Sequence, residues 1–353
     1  MWRRIGNIVL VVVIWSAIAA YVTYSAVLVS RHKQVQNIER LSIEIVDSAS
    51  SGQLITSQRV RDMLIERGIA TLNANIGGVD THSIREMISE QGFVDNVSIF
   101  ASYSGTLHIR ISQRKPLLRF LVDGHNCYIT ADGYLFRSPE RAALHMPVVS
   151  GSYRPIFEPG YEGSLSELME QYRVEALDSQ KIVGRKALPI LERKEHWLSR
   201  RKAVRDSTIA ERKERKRINR YIDGHIRDCD RALEAVEAEK WQIAERYERK
   251  VERYNEFKEF LGFVARISSD SFWRAEIVQI VASTTSDGRI SLELIPRSGD
   301  HRIDFGWLEN CEQKLSKLAI YYDKVAITCG WDSYKRVNLN YADKIVCTYK
   351  DEN

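Results

Sequence analysis

The chain has 353 residues, of which 52 are Lys or Arg and 47 are Asp or Glu, for a net charge of +5. So slight an excess excludes a protein built around nucleic-acid binding, and the length accommodates two or three modest domains. The five cysteines, Cys127, Cys229, Cys311, Cys329 and Cys347, are odd in number, widely spaced and without a CxxC, which excludes a disulfide framework or a zinc module; ordinary buried thiols remain, with a Cys329 to Cys347 bridge open if those segments pair as strands.

First in chain order is an apolar run over 5–29, 25 residues without a formal charge. At 1.5 Å per residue it is enough helix to cross a hydrocarbon core of roughly 30 Å. Residues 1–4 then read as a cytoplasmic tail, 5–29 as a single transmembrane helix, and the rest as its periplasmic cargo. Arg3, Arg4 and the terminal amine before the run, against Arg31 and Lys33 after it, favour this orientation. The rival reading is a cleaved signal peptide, because Ala17-Ile18-Ala19 has the small-x-small form of a cleavage site. Against it, the run extends past the about 7 to 15 residues of a signal peptide, and Tyr21 and Tyr24 sit where interfacial anchors would.

Residues 38–115 read as one folded unit. Residues 41–46 alternate as a half-buried strand, and Thr56-Ser57-Gln58 opens a helix whose Val60, Met63, Leu64 and Ile69 share a face. After Gly77-Gly78, a second helix over 83–92 carries Ile84, Met87 and Ile88 on one side, and Gly92 is expected to close it in the left-handed conformation. Residues 94–100 and 106–112 then alternate around Ser104-Gly105 as a hairpin. The order is β-α-α-β-β.

That order, a helix leading into Glu90-Gln-Gly-Phe-Val-Asp-Asn-Val and a hairpin ending in Arg114-Lys-Pro116, resembles a POTRA domain, and specifically the one in the FtsQ/DivIB family of bacterial cell-division proteins. The match continues through Pro116-Leu-Leu-Arg-Phe-Leu-Val and Tyr128-Ile-Thr-Ala-Asp-Gly133-Tyr-Leu-Phe, similar to the family's entry into a second, β domain; Asp132-Gly133 reads independently as a tight turn. Alternating segments at 275–282, 290–295 and 301–305, a helix over 310–322, and a closing strand pair at 336–341 and 344–350 complete a β domain over 116–350. The expected fold is therefore α+β: a single N-terminal transmembrane helix, a POTRA domain, and an open antiparallel β domain interrupted by a long helical hairpin.

The interruption, 163–255, is poor in Gly and Pro and dense in charge. Met169, Ala176, Val183, Ile190, Trp197 and Val204 recur every seven positions, as do Ile222, Cys229, Val236 and Ile243, so two helices are expected to pack as a coiled-coil hairpin. Thr208-Ile-Ala-Glu211 supplies a capping box and places the turn at 206–208; Asp223-Gly224 is a rival turn, and Gly184 and Pro189 are expected to kink the first arm. Around that turn Arg200, Arg201, Lys202, Arg205, Arg212, Lys213, Arg215, Lys216 and Arg217 face only three acids. Such a tip can meet an anionic surface; the plainer reading is a solvated helix face.

No catalytic constellation is visible: there is no GxSxG, HExxH or GxxxxGK, and no cofactor or metal is expected. His125 and Cys127 would share a strand face, but simple strand residues are the better reading. A last strand with one neighbour leaves N–H and C=O groups that a partner strand can complete. The resemblance implies a non-enzymatic divisome scaffold whose terminal strand binds FtsB and FtsL, which would use Lys344, Ile345, Val346, Cys347, Thr348 and Tyr349. It implies Tyr341 as an aromatic contact, Arg289 as a contact before an inner strand, and further divisome membrane proteins as partners of the POTRA domain. The alternatives are a POTRA-bearing subunit of a secretion or outer-membrane assembly complex and, from another class, a membrane-anchored wall hydrolase.

Overall fold

The computed structural model describes residues 13–26, 37–46, 54–69, 72–102, 104–137, 144–207, 212–331 and 333–350. Residues 13–26 are helical and outward-facing; Ser16 donates to the Val13 carbonyl and Thr23 to that of Ala19, the back-bonding that lets a hydroxyl sit in an apolar helix. Among the described residues no helix is long and apolar enough to cross a membrane. The remainder of the apolar run, 5–12 and 27–29, lies outside the described residues.

Two compact units follow from the chain's contacts: Met1–Pro116 with Phe136–His145, and Leu117–Leu135 with Met146–Asn353. In the first, β1 (Arg40–Val46), α1 (Ser57–Glu66), α2 (Thr81–Ser89), β2 (Val94–Ala101) and β3 (Thr106–Gln113) form a three-stranded sheet in the order β1-β3-β2. Strand β1 runs parallel to β3, which a crossover of two helices permits, and β2 runs antiparallel to it; Ile43 and Ile99 both lie opposite Ile109. The Thr56 hydroxyl accepts the Arg59 N–H and the Asp80 carboxylate accepts those of His82 and Ser83, so each helix has a side-chain cap. Val60, Met63, Leu64, Ile84, Met87 and Ile88 close over Val97, Leu107, Ile109 and Ile111 as one core. Buried Gln113 pins the entry to α1, its Oε1 accepting the N–H of Leu54 at 2.7 Å and of Ile55 at 3.2 Å. Gly92 does not take the expected left-handed cap: α2 ends through turns in which the Glu90 and Gln91 N–H groups reach the carbonyls of Glu86 and Ile88.

The second unit is a ten-stranded sheet. Its strands are β4 (Pro116–Val122), β5 (His125–Thr130), β6 (Tyr134–Arg137), β7 (Val148–Gly151), β8 (Gly163–Ser164), β9 (Ile277–Thr284), β10 (Ile290–Pro296), β11 (Arg302–Gly306), β12 (Tyr334–Asn338) and β13 (Val346–Tyr349). Their order is β13-β12-β11-β10-β9-β7-β4-β5-β6-β8. The expectation of an antiparallel domain is overturned here: β4 with β7, β7 with β9, and β11 with β12 are parallel pairs. Parallel neighbours need long crossovers, and the chain has them, since the helices of 165–276 lie between β7 and β9 and another helical segment lies between β11 and β12.

The helices are α3 (Leu165–Arg185), α4 (Ala187–Asp206), α5 (Arg212–Ser269), α6 (Ser271–Glu276) and α7 (Cys311–Ile320), the last continued by a wider turn over Tyr321–Ala326. The break between α3 and α4 falls at Lys186; Pro189 has no N–H for the Arg185 carbonyl, and its ring crowds that group. Asp223 and Gly224 lie inside α5, so the rival turn is not used, and the proposed capping box at 208–211 is outside the described residues. Nor does α5 stop near Asn255. It runs on into the sheet's core, where Phe257, Phe260, Val264 and Ile267 pack with Phe120, Val149, Ile280 and Leu292. Phe257 stacks on Tyr153 with ring centroids 5.9 Å apart, and Phe263 meets Phe305 at 4.6 Å.

Candidate partner-binding site at the sheet edge

Strand β13 is the outermost strand at one end of the sheet and pairs with β12 alone. The register sets Val346 opposite Asn338, Cys347 opposite Val337 and Tyr349 opposite Tyr334, with an irregularity in β12 between Tyr334 and Arg336. Ile345 and Cys347 pack against the core, whereas Val346 and Thr348 face outward. The Lys350 N–H donates to the Ser333 carbonyl at 3.2 Å. Alternation along β13 then turns the amides of Cys347 and Tyr349 away from β12, toward the open edge.

Aromatic packing holds the far end of the strand. The Tyr349 ring lies 4.7 Å from that of Tyr334, with the two hydroxyls 3.4 Å apart, and Tyr334 rests on buried Tyr321 at 6.2 Å. Tyr349 itself is 66% exposed. Burial of Tyr321 pushes its hydroxyl up to about 12, so this phenol at the base of the stack keeps its proton through the ordinary pH range. At the near end, Tyr341 lies outside the expected strand, which stops at Asn338, and Lys344 reaches over its ring at 5.3 Å. Lys317 on α7 fixes this approach by donating to the carbonyls of Leu339 at 3.1 Å and Tyr341 at 2.6 Å.

Arg289 is not brought to this edge. It precedes β10, three strands in from β13, or about 14 Å at sheet spacing. There it pairs with Glu309 and stacks over Trp307 at 4.3 Å. The basic residues sit at the end of the helical arms, on the last turns of α4 and the first of α5. Arg201 pairs with Asp223, Arg205 with Asp206, and Arg200 covers Trp197; Lys202, Arg212, Lys213, Lys216 and Arg217 have no ion pair among the described residues. Sequence reasoning missed Lys317 and Tyr334, whose parts depend on contacts more than a dozen residues away along the chain.

His125 and Cys127 make no reactive pair. The His125 ring nitrogens face the carbonyls of Val122 at 2.8 Å and Phe157 at 3.1 Å, and burial pushes the Cys127 thiol up to about 12, far from a thiolate.

Comparison with known families places these features. A POTRA-like domain matches residues 36–112, the unit built on β1, α1, α2, β2 and β3. A domain described as FtsQ/DivIB, C-terminal related, matches residues 237–348; it begins within α5 and ends in β13, so it contains the open edge. No curated protein matches the chain. A POTRA-like domain followed by an FtsQ/DivIB C-terminal related domain, in this order, supports an FtsQ/DivIB-family protein of cell division.

Proposed function

We propose that this protein is a non-enzymatic divisome scaffold that gathers FtsB- and FtsL-type partners on β13 and so helps control septal wall synthesis. In this reading the apolar run over 5–29 anchors it in the bacterial inner membrane, with the folded units periplasmic. The observation that supports it is the open side of β13, two of whose amides turn away from the sheet. A partner strand adding there gains main-chain hydrogen bonds, and Val346, Thr348 and Tyr349 supply side-chain contacts on its two faces. Tyr341 and Lys344 flank the entry, and Ile345 and Cys347 seat the strand on the core beneath.

The test uses the full chain in lipid nanodiscs, titrated with FtsB and FtsL ectodomains, against a Cys347→Pro variant. Proline at this edge position removes one outward donor while leaving the β12 ladder intact. Loss of binding with unchanged thermal unfolding is the expected result; retained binding would sink β-augmentation. The cations at the end of α4 and the start of α5 that have no ion pair among the described residues favour a second contact, with an anionic surface. With the chain's own anchor held in neutral-lipid nanodiscs, capture of added vesicles containing about 30% anionic lipid should fall when Lys202, Arg212, Lys213, Lys216 and Arg217 become Gln, and no change would reject it.

A further inference from the structure

Two thiols occupy one corner of the second unit. Cys347 lies in β13, half-buried and packed against the core, and Cys329 is the exposed last residue of the helical turn Ile327–Cys329. They are not strand partners, since Cys347 is opposed by Val337 of β12. Both instead border the same tyrosines. The Tyr334 hydroxyl hydrogen-bonds to the Cys329 side chain as well as to the Tyr349 hydroxyl. Tyr321, whose ring lies 6.2 Å from that of Tyr334, is close enough to both thiols that each adds to the burial that keeps its proton in place. Cys329 acts in the same way on Cys347, whose thiol burial already pushes up.

The backbone ties the same two segments. Ser333 Oγ donates to the Cys329 carbonyl, and the Ser333 carbonyl accepts the N–H of Lys350, the residue after β13. Cys329 is exposed and followed by Gly330 at a φ of +92°, so it is the half of the pair that is free to turn. The Tyr321 hydroxyl is buried with no hydrogen-bond partner among the described residues, so a linkage between the thiols gives up the Cys329 bond to Tyr334 and no bond of Tyr321. The other three cysteines are engaged elsewhere: Cys127 and Cys229 are buried, and Cys311 donates to the Leu308 carbonyl at 2.9 Å.

We propose that Cys329 and Cys347 form a disulfide that clamps β13 to the helical layer when the protein meets a small disulfide oxidant. The bridge closes a loop that contains the whole of β12, so it holds the last strand independently of the ladder that otherwise carries it. The step balances by thiol–disulfide exchange. Cys329, as thiolate, attacks one sulfur of the oxidant; the oxidant's S–S bond breaks, and its other half leaves as a thiolate that takes up a proton. Cys347, its proton given to solvent, then attacks Cys329 Sγ and expels the second half in the same way. Two protein thiols are oxidised to one disulfide, and one oxidant disulfide is reduced to two thiols. The oxidising surroundings rest on the periplasmic reading above, and the bearing on docking rests on β13 as the docking strand; the chemistry of the pair rests on neither.

The test equilibrates the full chain in lipid nanodiscs with glutathione disulfide, quenches it with acid and maps it by mass spectrometry without reduction. The expected product has lost its two thiol hydrogens and yields a linked peptide pair joining Cys329 to Cys347. A Cys347→Ser variant should instead carry glutathione on Cys329, the intermediate that has no second thiol to resolve it. Oxidation of the parent should slow amide exchange at Thr348 and Lys350 at least about tenfold, or about 1.4 kcal/mol. Cys329→Ser, a change at an exposed position, should abolish that slowing. Glutathione retained on Cys329 of the parent, with no linked peptide, overturns the proposal. So does a linked peptide with unchanged exchange, since the bridge would then clamp nothing. No partner protein enters the assay, so a failure here leaves docking on β13 standing, and a failure of docking leaves the bridge standing.

Discussion

Lys317 Nζ donates to the carbonyl oxygen of Tyr341 at 2.6 Å, so a helix packed on the sheet holds the turn that leads into its outermost strand. The same ammonium also serves Leu339. Lys317→Met keeps most of the stem and removes these charge-assisted bonds, and should cost about 2 kcal/mol in chemical denaturation. Binding of FtsB- and FtsL-type ectodomains should weaken in parallel, because Tyr341 and Lys344 lose their fixed approach; unchanged affinity would show that the turn is not part of the site.

Tyr349 and Tyr334 pin the last residues of β13 by their ring contact. Tyr349→Ala should cost about 1 kcal/mol and raise amide exchange at Thr348 and Lys350, read by hydrogen–deuterium mass spectrometry. Tyr349→Phe, which keeps the ring, should behave almost as the parent.

Gly151 ends β7 with a φ of +116°, where an added Cβ would overlap the Ala282 carbonyl oxygen of β9. Gly151→Ala should destabilise the second unit by about 3 kcal/mol through strained backbone and a parted β7–β9 pair. Gly160→Ala, with open space at its Cβ but the same left-handed backbone, should cost about 1 kcal/mol. Thermal melts of the two variants separate the overlap from the backbone preference.

The Cys127 thiol keeps its proton in the fold up to about pH 12, from an ordinary value near 9. Above pH 9 the unfolded chain loses a proton that the native chain retains, so this group's contribution to stability falls as pH rises through 9 to 12. Denaturation at pH 9.5 and 10.5 should show Cys127→Ala losing less stability between the two than the parent, by up to about 1.4 kcal/mol. Native alkylation at pH 8 should label exposed Cys329 and spare Cys127 until the chain unfolds.

Strand and helix identities in the first unit were legible because each face declares its own period, as with Val60, Met63 and Leu64 or Ile109 and Ile111. Neighbour relations in the larger sheet were not. Alternation at 275–282 says which side chains point inward, but nothing local says that β7 will separate β4 from β9 in parallel. The pairing of the last strand with the one before it was legible from two alternating segments a short turn apart, whereas the position of Arg289 three strands away depended on that hidden order. The apolar spacing at Tyr247, Tyr254, Phe257, Leu261 and Val264 runs without interruption from arm to core, which is why no boundary near 255 exists to be found.

That unbroken helix makes α5 a lever. Its first turns lie at the tip and its last four turns are clamped among the phenylalanines beneath the sheet, about 87 Å end to end, with no glycine or proline hinge where the two roles meet. Force applied at the tip therefore reaches the β9–β10 floor as torque instead of being absorbed by a joint, and the same stiffness keeps the tip at a set distance from the sheet, like a gauge rod.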